Sequence, residues 1–131
     1  MCINILVADD AEIMRRGIKW LLRGNEEIQI VGEASSFSEA IEKSVELRPD
    51  VLVIDLHLAE GRSAELKSAV NGTKILAMSF ANDEEAEDSA KHIGAVKFLD
   101  KTELVQKMIS AILQLASSNG NDSRNPTKNV I

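Results

Sequence analysis

The chain alternates short apolar runs with longer amphipathic stretches, a rhythm typical of βα units and the strongest constraint on its fold. A helix-like stretch follows each of five strand-like runs, which begin near Ile3, Ile28, Val51, Lys74 and Val96. Apart from Asn4, the runs 3–8 and 51–54 are continuously apolar, as expected of central parallel strands covered on both faces. The run 28–31 alternates and is expected at an edge. Right-handed crossovers then favour a doubly wound α/β sheet.

Helix boundaries follow from capping residues and from apolar residues at a period of 3.6. The capping-box pattern of Ser36 and Glu39 predicts the start of the second helix, and Pro49 predicts its end. Thr102 is the expected N-cap of the fifth helix, and the third and fourth helices are expected near 63–70 and 83–92. The residues expected on the apolar stripes of the first, second and fifth helices are Ile13, Met14, Gly17, Ile18, Leu21, Leu22, Phe37, Ala40, Ile41, Val45, Leu104, Val105, Met108, Ile109, Ile112 and Leu113.

Composition narrows the functional class. A length of 131 residues indicates one domain, and a net charge of −6 argues against binding of DNA or an anionic membrane by this segment. Cys2 is the only cysteine, so an internal disulfide is excluded and a reducing, cytoplasmic location is expected. No basic region precedes the first apolar run, and no run has membrane-spanning length, so neither a secretory signal nor a membrane anchor is expected.

Polar side chains follow four of the five strand-like runs. Asp9 and Asp10 follow the first run, Asp55 the third, Ser79 the fourth and Lys101 the fifth. Ligands of open α/β sheets bind at the carboxyl ends of the strands, and in a sheet of order 2-1-3-4-5 the three carboxylates would meet at the switch point. Clustered carboxylates repel one another, which fits ligands of a hard cation such as Mg²⁺ better than core packing. Asp10 is also a candidate cap of the first helix.

The same inventory suits phosphoryl transfer. A carboxylate can attack phosphorus and form an acyl phosphate. A metal ion, an ammonium group and a hydroxyl group can then offset the charge of the phosphoryl oxygens.

The chain resembles the receiver domain of two-component response regulators, closest to the NarL/FixJ class. The resemblance covers about residues 3–117 and is carried, in order, by "VADDAEIMRRGIKWLL", "VGEASSFSEAIE", "LRPDVLVIDL" and "GAVKFLDK". It implies a flavodoxin-like fold with strand order 2-1-3-4-5 and helices on both faces. We assign residues 1–117 to the receiver and 118–131, which are rich in Ser and Asn, to a polar linker or C-terminal tail.

The resemblance implies a phosphorelay role in which a histidine kinase or phosphotransfer protein phosphorylates Asp55. Ser79 and Lys101 would contact the phosphoryl oxygens. The implied ligands of Mg²⁺ (or Mn²⁺) are Asp9, Asp10, Asp55 and the main-chain carbonyl of His57.

The resemblance also implies a switch. Ser79 and Phe98 would move on phosphorylation and reshape the surface of the fourth helix, fifth strand and fifth helix (α4-β5-α5). That surface would form a homodimer or contact an output domain, in a system that regulates transcription.

The chain departs from the usual receiver pattern beside the site. Ala59 and Glu60 stand where receivers usually carry Pro and Gly, so the loop after the third strand is expected to be less stiff. The residue after the hydroxyl side chain is usually small, but here it is Phe80, followed by Ala81. Together with His57, these two residues are expected to gate access to Asp55.

Two other functions fit parts of the pattern. A receiver-like module that binds partners without phosphorylation would keep the fold. A Mg²⁺-dependent phosphatase of the haloacid dehalogenase type needs a second Asp two residues after its nucleophile, where this chain has Ala11 or His57. A ring-nitrogen metal site at His57 would need further His or Cys ligands nearby, and the sequence offers none there.

Overall fold

The predicted five-stranded parallel sheet is present. The structure, a computed structural model, describes residues 2–122, with side-chain surroundings over 2–117. The strands are β1 (Ile3–Ala8), β2 (Ile28–Ala34), β3 (Val51–Asp55), β4 (Lys74–Ser79) and β5 (Ala95–Asp100). Every pairing is parallel, and the order is β2-β1-β3-β4-β5, so the predicted topology and the edge position of β2 are both confirmed.

Helices cover both faces of the sheet, as predicted. They are α1 (Glu12–Leu22), α2 (Phe37–Leu47), α3 (Ser63–Ala69), α4 (Glu84–His92) and α5 (Leu104–Asp122). A single helical turn, Leu56–Ala59, follows β3, and a 3₁₀ turn, Lys101–Glu103, precedes α5. Buried residues of α1 and α5 share one core cluster, whereas those of α2, α3 and α4 share the other.

The alternation of side chains along β1 explains why this strand is apolar from Ile5 to Ala8. Ile5 and Val7 belong to the core cluster under α1 and α5, while Leu6 and Ala8 belong to the cluster on the opposite face. All four are fully buried. A central strand therefore has no solvent-facing side on which polar residues could alternate.

Four residues that we expected on buried helix faces are exposed, and Gly17 of α1 is one of them. Val45 of α2 is 58% exposed, and Ile13 of α1 and Val105 of α5 are each 76% exposed. The apolar stripes are wider than the sheet and neighbouring helices can cover, so residues at their margins stay in solvent. Ser44 is buried on α2 in place of Val45.

Helix ends agree only in part with the expected caps. Ser36 does cap α2, accepting a hydrogen bond of 3.1 Å from the Glu39 amide, and α2 ends before Pro49. The prediction of Thr102 as a cap is wrong, because Asp100 accepts hydrogen bonds from both the amide and the hydroxyl of Thr102. The last helix continues to Asp122, five residues into the expected linker, and the rest of that segment lies outside the described residues.

Candidate functional site

Three carboxylates converge at the carboxyl edge of the sheet. Ala8 pairs with Ile54 in the neighbouring strands β1 and β3, so the residues that follow them, Asp9 and Asp55, lie side by side. Ligand oxygens of Asp9, Asp10 and Asp55 lie within 4.8 Å of one another. The predicted cluster therefore exists, and the strand register is what brings it together.

Asp9 is fully buried and held from four directions. Its amide donates to the Ala34 carbonyl of β2 over 3.0 Å, and its carbonyl accepts from Arg15 over 2.7 Å. Its carboxylate accepts from the Ala11 amide through Oδ1 and from the Lys101 ammonium through Oδ2. A buried charge needs this degree of compensation, and its orientation is correspondingly well defined.

Lys101 bridges the two buried carboxylates. Its Nζ lies 2.7 Å from Asp9 Oδ2 and 3.5 Å from Asp55 Oδ1, and its side chain is only 6% exposed. Burial raises the pKa of the Asp55 carboxyl above its ordinary value, the Lys101 ammonium lowers it, and the Asp9 carboxylate adds to the rise. Burial in this site thus makes the charged form of Asp55 less stable than it is in water, and a further positive charge nearby would stabilise it.

Asp10 differs from its two neighbours because its side chain is exposed. It does not cap α1, contrary to our expectation. The N-cap position of that helix is Ala11, which has no capping side chain, and the Ala11 amide is instead satisfied by Asp9. Asp10 is therefore free of a capping role and gives the cluster an open, solvated side.

Ser79 ends β4 beside the cluster. Met78 pairs with Asp55 in the adjacent strand, so Ser79 lies one residue beyond it at the same edge. The hydroxyl of Ser79 accepts a hydrogen bond of 3.0 Å from the Ala81 amide. Three residues after Ser79, the side-chain amide of Asn82 donates to Asp100 Oδ2 over 2.7 Å, which ties this loop to the end of β5.

Phe80 lies over the ammonium group of Lys101. The ring centroid is 5.2 Å from Lys101 Nζ, within the range of a cation–π contact, although the side chain is 65% exposed. Ala81 is also exposed. Sequence reasoning placed Phe80 beside the site through its position after Ser79, but it had no means of finding the contact with Lys101.

His57 and the loop after Asp55 occupy the other side of the site. The His57 amide points at Asp55 Oδ1 over a long 3.4 Å, while its ring is mostly exposed with Nδ1 3.4 Å from Glu60 Oε1. Among the residues that the structure describes, the one possible metal-binding group of three or more acidic, His or Cys side chains contains no His. Ala59 is buried in the helical turn, and a turn follows at Gly61, whose φ is +74°.

Phe98 is half-buried on β5, opposite Ala77 of β4. It packs against the core cluster under α2, α3 and α4 and is placed two residues before the end of the strand. Its position is compatible with the predicted switch, because Ser79 and Phe98 lie on neighbouring strands.

The family model for the response regulator receiver domain matches residues 5–113. The chain belongs to this family. It is 31% identical over 114 residues to the oxygen regulatory protein NreC of Staphylococcus epidermidis, covering 83% of this chain and 52% of that protein. It is 30% identical over 115 residues to the transcriptional regulatory protein LiaR of Bacillus subtilis, covering 84% and 54%.

Solved structures of receivers share the fold. The response regulator domain of Thermotoga maritima CheB superimposes with a TM-score of 0.78 at 25% identity, over 89% of this chain and 98% of that domain. The similarity to these relatives supports the NarL/FixJ-like assignment. The region that matches is a receiver domain and not a catalytic domain. The chain spans about half the length of the curated relatives described above. Within the described part of the chain, no helix has both the length and the apolar character needed to cross a membrane.

Proposed function

We propose that this receiver accepts a phosphoryl group on Asp55 from a cytoplasmic histidine kinase or phosphotransfer protein. The observation that carries the proposal is the position of Asp55, a buried carboxylate that neighbours Asp9 and lies 3.5 Å from the ammonium group of Lys101, which bridges the two carboxylates. A nucleophile needs at least one oxygen free to attack. The hydrogen bond from His57 and the contact with Lys101 both involve Oδ1, so Oδ2 is the candidate attacking atom.

The acidic cluster fits Mg²⁺ (or Mn²⁺). Oxygen donors from two or three carboxylates, with open positions for water and a phosphate oxygen, are the usual surroundings of this ion. Asp9, Asp10 and Asp55 supply the carboxylates, and the exposed side of Asp10 leaves room for water. The main-chain carbonyl of His57 is proposed as a further ligand. When bound, the ion supplies positive charge that offsets the charge on the phosphoryl oxygens.

The chain's own residues act by position and charge. An Asp55 oxygen forms a bond to phosphorus while the bond between phosphorus and the donor's imidazole nitrogen breaks. Lys101, already within reach of Asp55, contacts the incoming phosphoryl oxygens through its flexible stem. Ser79 gives up the amide of Ala81 and turns its hydroxyl toward the same group.

The signal leaves the site through β4 and β5. Movement of Ser79 and Phe98 reshapes the α4-β5-α5 surface, which then pairs with a second copy or with an output domain. The names of relatives include transcriptional regulators, so control of transcription is the proposed outcome. The net charge of −6 argues that another segment contacts the DNA.

Intact mass after incubation with acetyl phosphate and Mg²⁺ tests the phosphoacceptor. We expect one added phosphoryl group on the wild type and none on Asp55→Asn. Asp88→Asn, which changes an exposed carboxylate on α4, is the matched control and should be modified like the wild type. Modification of Asp55→Asn would contradict the assignment. A wild type that accepts no phosphoryl group from acetyl phosphate or from a kinase would indicate a module that works without phosphorylation.

A further inference from the structure

Arg15 connects α1 to two neighbouring parts of the site's framework. Its Nη1 donates to the main-chain carbonyl of Asp9 over 2.7 Å, and its Nε donates to Glu33 Oε1 on β2 over 3.0 Å. The side chain is only 15% exposed. A planar guanidinium group can make both bonds at once, in directions set by its own geometry.

The carbonyl that Arg15 holds belongs to the peptide unit between Asp9 and Asp10. A peptide unit is planar, so fixing its oxygen also fixes the direction in which the chain enters Asp10. Asp9 is already held through its amide and both carboxylate oxygens, whereas the exposed side chain of Asp10 makes no hydrogen bond or ion pair with any other residue that the structure describes. Arg15 is thus the contact on this loop that best accounts for the orientation of Asp10.

We propose that Arg15 is a positioning residue for the cation site, which it serves by fixing the peptide between Asp9 and Asp10. Support of this kind, one shell outside the ligands, commonly changes metal affinity by about 10–100-fold when it is removed. The inference rests on the proposed Mg²⁺ site and assigns the support of that site to one side chain.

Electrostatics and geometry predict opposite results for this residue. Arg15 carries a positive charge close to a site for a cation, so its removal should by charge alone strengthen Mg²⁺ binding. If Arg15 instead acts through geometry, its removal should weaken binding. The sign of the change therefore separates the two effects.

Lys19 provides a matched control on the same helix. Its Nζ lies 2.6 Å from Glu33 Oε2, so it pairs with the same carboxylate as Arg15. The hydrogen bonds of the described residues include none from the Lys19 side chain to Asp9. Lys19→Gln removes one positive charge and one ion pair from the same cluster and leaves the Asp9 carbonyl untouched.

The test is calorimetric titration of Mg²⁺ alone into wild type, Arg15→Gln, Arg15→Lys and Lys19→Gln, with thermal unfolding to verify that each variant is folded. We expect a wild-type Kd on the order of millimolar. Arg15→Gln should weaken binding about tenfold. Arg15→Lys should also weaken it, because an ammonium group cannot replace the two-directional fork, and Lys19→Gln should stay within about twofold of the wild type. The Asp10 amide resonance of the metal-free protein should shift in both Arg15 variants.

Each outcome has a distinct meaning. Unchanged or tighter Mg²⁺ binding by folded Arg15→Gln or Arg15→Lys overturns the positioning role and leaves the proposed function intact. Equal weakening in Lys19→Gln also overturns it, since the Asp9 carbonyl is then irrelevant. If Arg15→Gln does not fold, Arg15→Lys decides the matter. A wild type that binds no Mg²⁺ overturns the cation site of the proposed function itself.

Discussion

The side-chain amide of Asn82 donates a hydrogen bond of 2.7 Å to Asp100 Oδ2, joining the loop after β4 to the end of β5. Hydrogen bonds from the amide and hydroxyl of Thr102, together with the one from Asn82, hold the pKa of Asp100 below its usual value. The loop from which Ser79 is proposed to turn on phosphorylation is therefore attached to an ionised, well-anchored acceptor on the neighbouring strand.

Removing this tie should favour the phosphorylated arrangement. We expect Asn82→Ala to bind beryllofluoride, a phosphoryl mimic, about fivefold more tightly, which corresponds to the loss of about 1 kcal/mol from one hydrogen bond of the resting state. Asn71→Ala, in the exposed turn before β4, is the control and should leave affinity unchanged. Titration followed by NMR measures both. Weaker binding by Asn82→Ala would show that the tie supports the active arrangement instead.

Phe80 is expected to slow hydrolysis of the acyl phosphate. Water must approach in line with the bond between Asp55 and phosphorus. The Phe80 ring contacts Lys101, so we expect it to lie beside that approach. Neither His57 nor Ala81 presents a carboxylate or carboxamide with which to orient the water. Phe80→Ala should hydrolyse on the order of tenfold faster, equivalent to about 1.4 kcal/mol in the barrier, and should accept acetyl phosphate more readily. Phe80→Tyr keeps the ring and should behave like the wild type. Equal decay of the wild type and Phe80→Ala would exclude shielding by this side chain.

Asp55→Asn should stabilise the metal-free protein at neutral pH. Burial raises the pKa of Asp55 in the folded state above its unfolded value of 3.8. The folded state therefore binds the proton more tightly, and stability falls as pH rises from the unfolded pKa through the folded one. The variant carries no such penalty, so its midpoint of thermal unfolding should exceed that of the wild type at pH 7, with the difference vanishing toward pH 3. Asp88→Asn should show no comparable gain. A lower midpoint for Asp55→Asn at pH 7 would contradict the pKa direction.

Phosphorylation should promote a salt-sensitive dimer through the α4-β5-α5 surface. Exposed acidic residues crowd α4, while Lys91 follows on the same helix and Lys97 lies on β5. Light scattering of the beryllofluoride-bound protein should report a dimer at low salt and less of it at high salt, because exposed ion pairs are weak and screened. Lys91→Glu should weaken association. A mass of one chain at saturation would contradict the dimer.

The apolar groove between α1 and α5 is an alternative dimer surface, and it predicts a different result in this experiment. Ile13, Trp20 and Val105 line it with mostly exposed side chains. Association through this groove would persist or strengthen at high salt, and Trp20→Ala would abolish it. The effects of salt, of Lys91→Glu and of Trp20→Ala on dimer formation thus identify which surface forms the dimer.

Sequence reasoning predicted the sheet and the acidic cluster because both depend on local patterns. Continuous apolar runs identify buried strands, and the residue that follows each run must lie at the same edge. This is why Asp9, Asp10 and Asp55 could be brought together before any contact was known. Two of the motifs that carry the family resemblance, "VADDAEIMRRGIKWLL" and "LRPDVLVIDL", contain these three residues.

What could not be predicted are contacts between side chains and distant main-chain groups. Arg15 reaches the Asp9 carbonyl and Asn82 reaches Asp100 through bonds that leave no periodic signal. The prediction that residues at the margins of an apolar helix stripe are buried was wrong for a related reason. Whether Val105 is covered depends on how far its neighbours extend, and its own helix gives no information on that.

The Lys101 bridge has a consequence for how the phosphoryl group and the cation influence one another. When all four groups are ionised, three carboxylates and one ammonium carry a net charge of −2, which a divalent ion brings to zero. Phosphorylation adds negative charge to Asp55, so the phosphorylated pocket should hold the cation more tightly than the resting one. Because binding linkage is reciprocal, the cation must favour the phosphorylated arrangement by the same factor. The cellular concentration of free Mg²⁺ would then act as a second input to the switch.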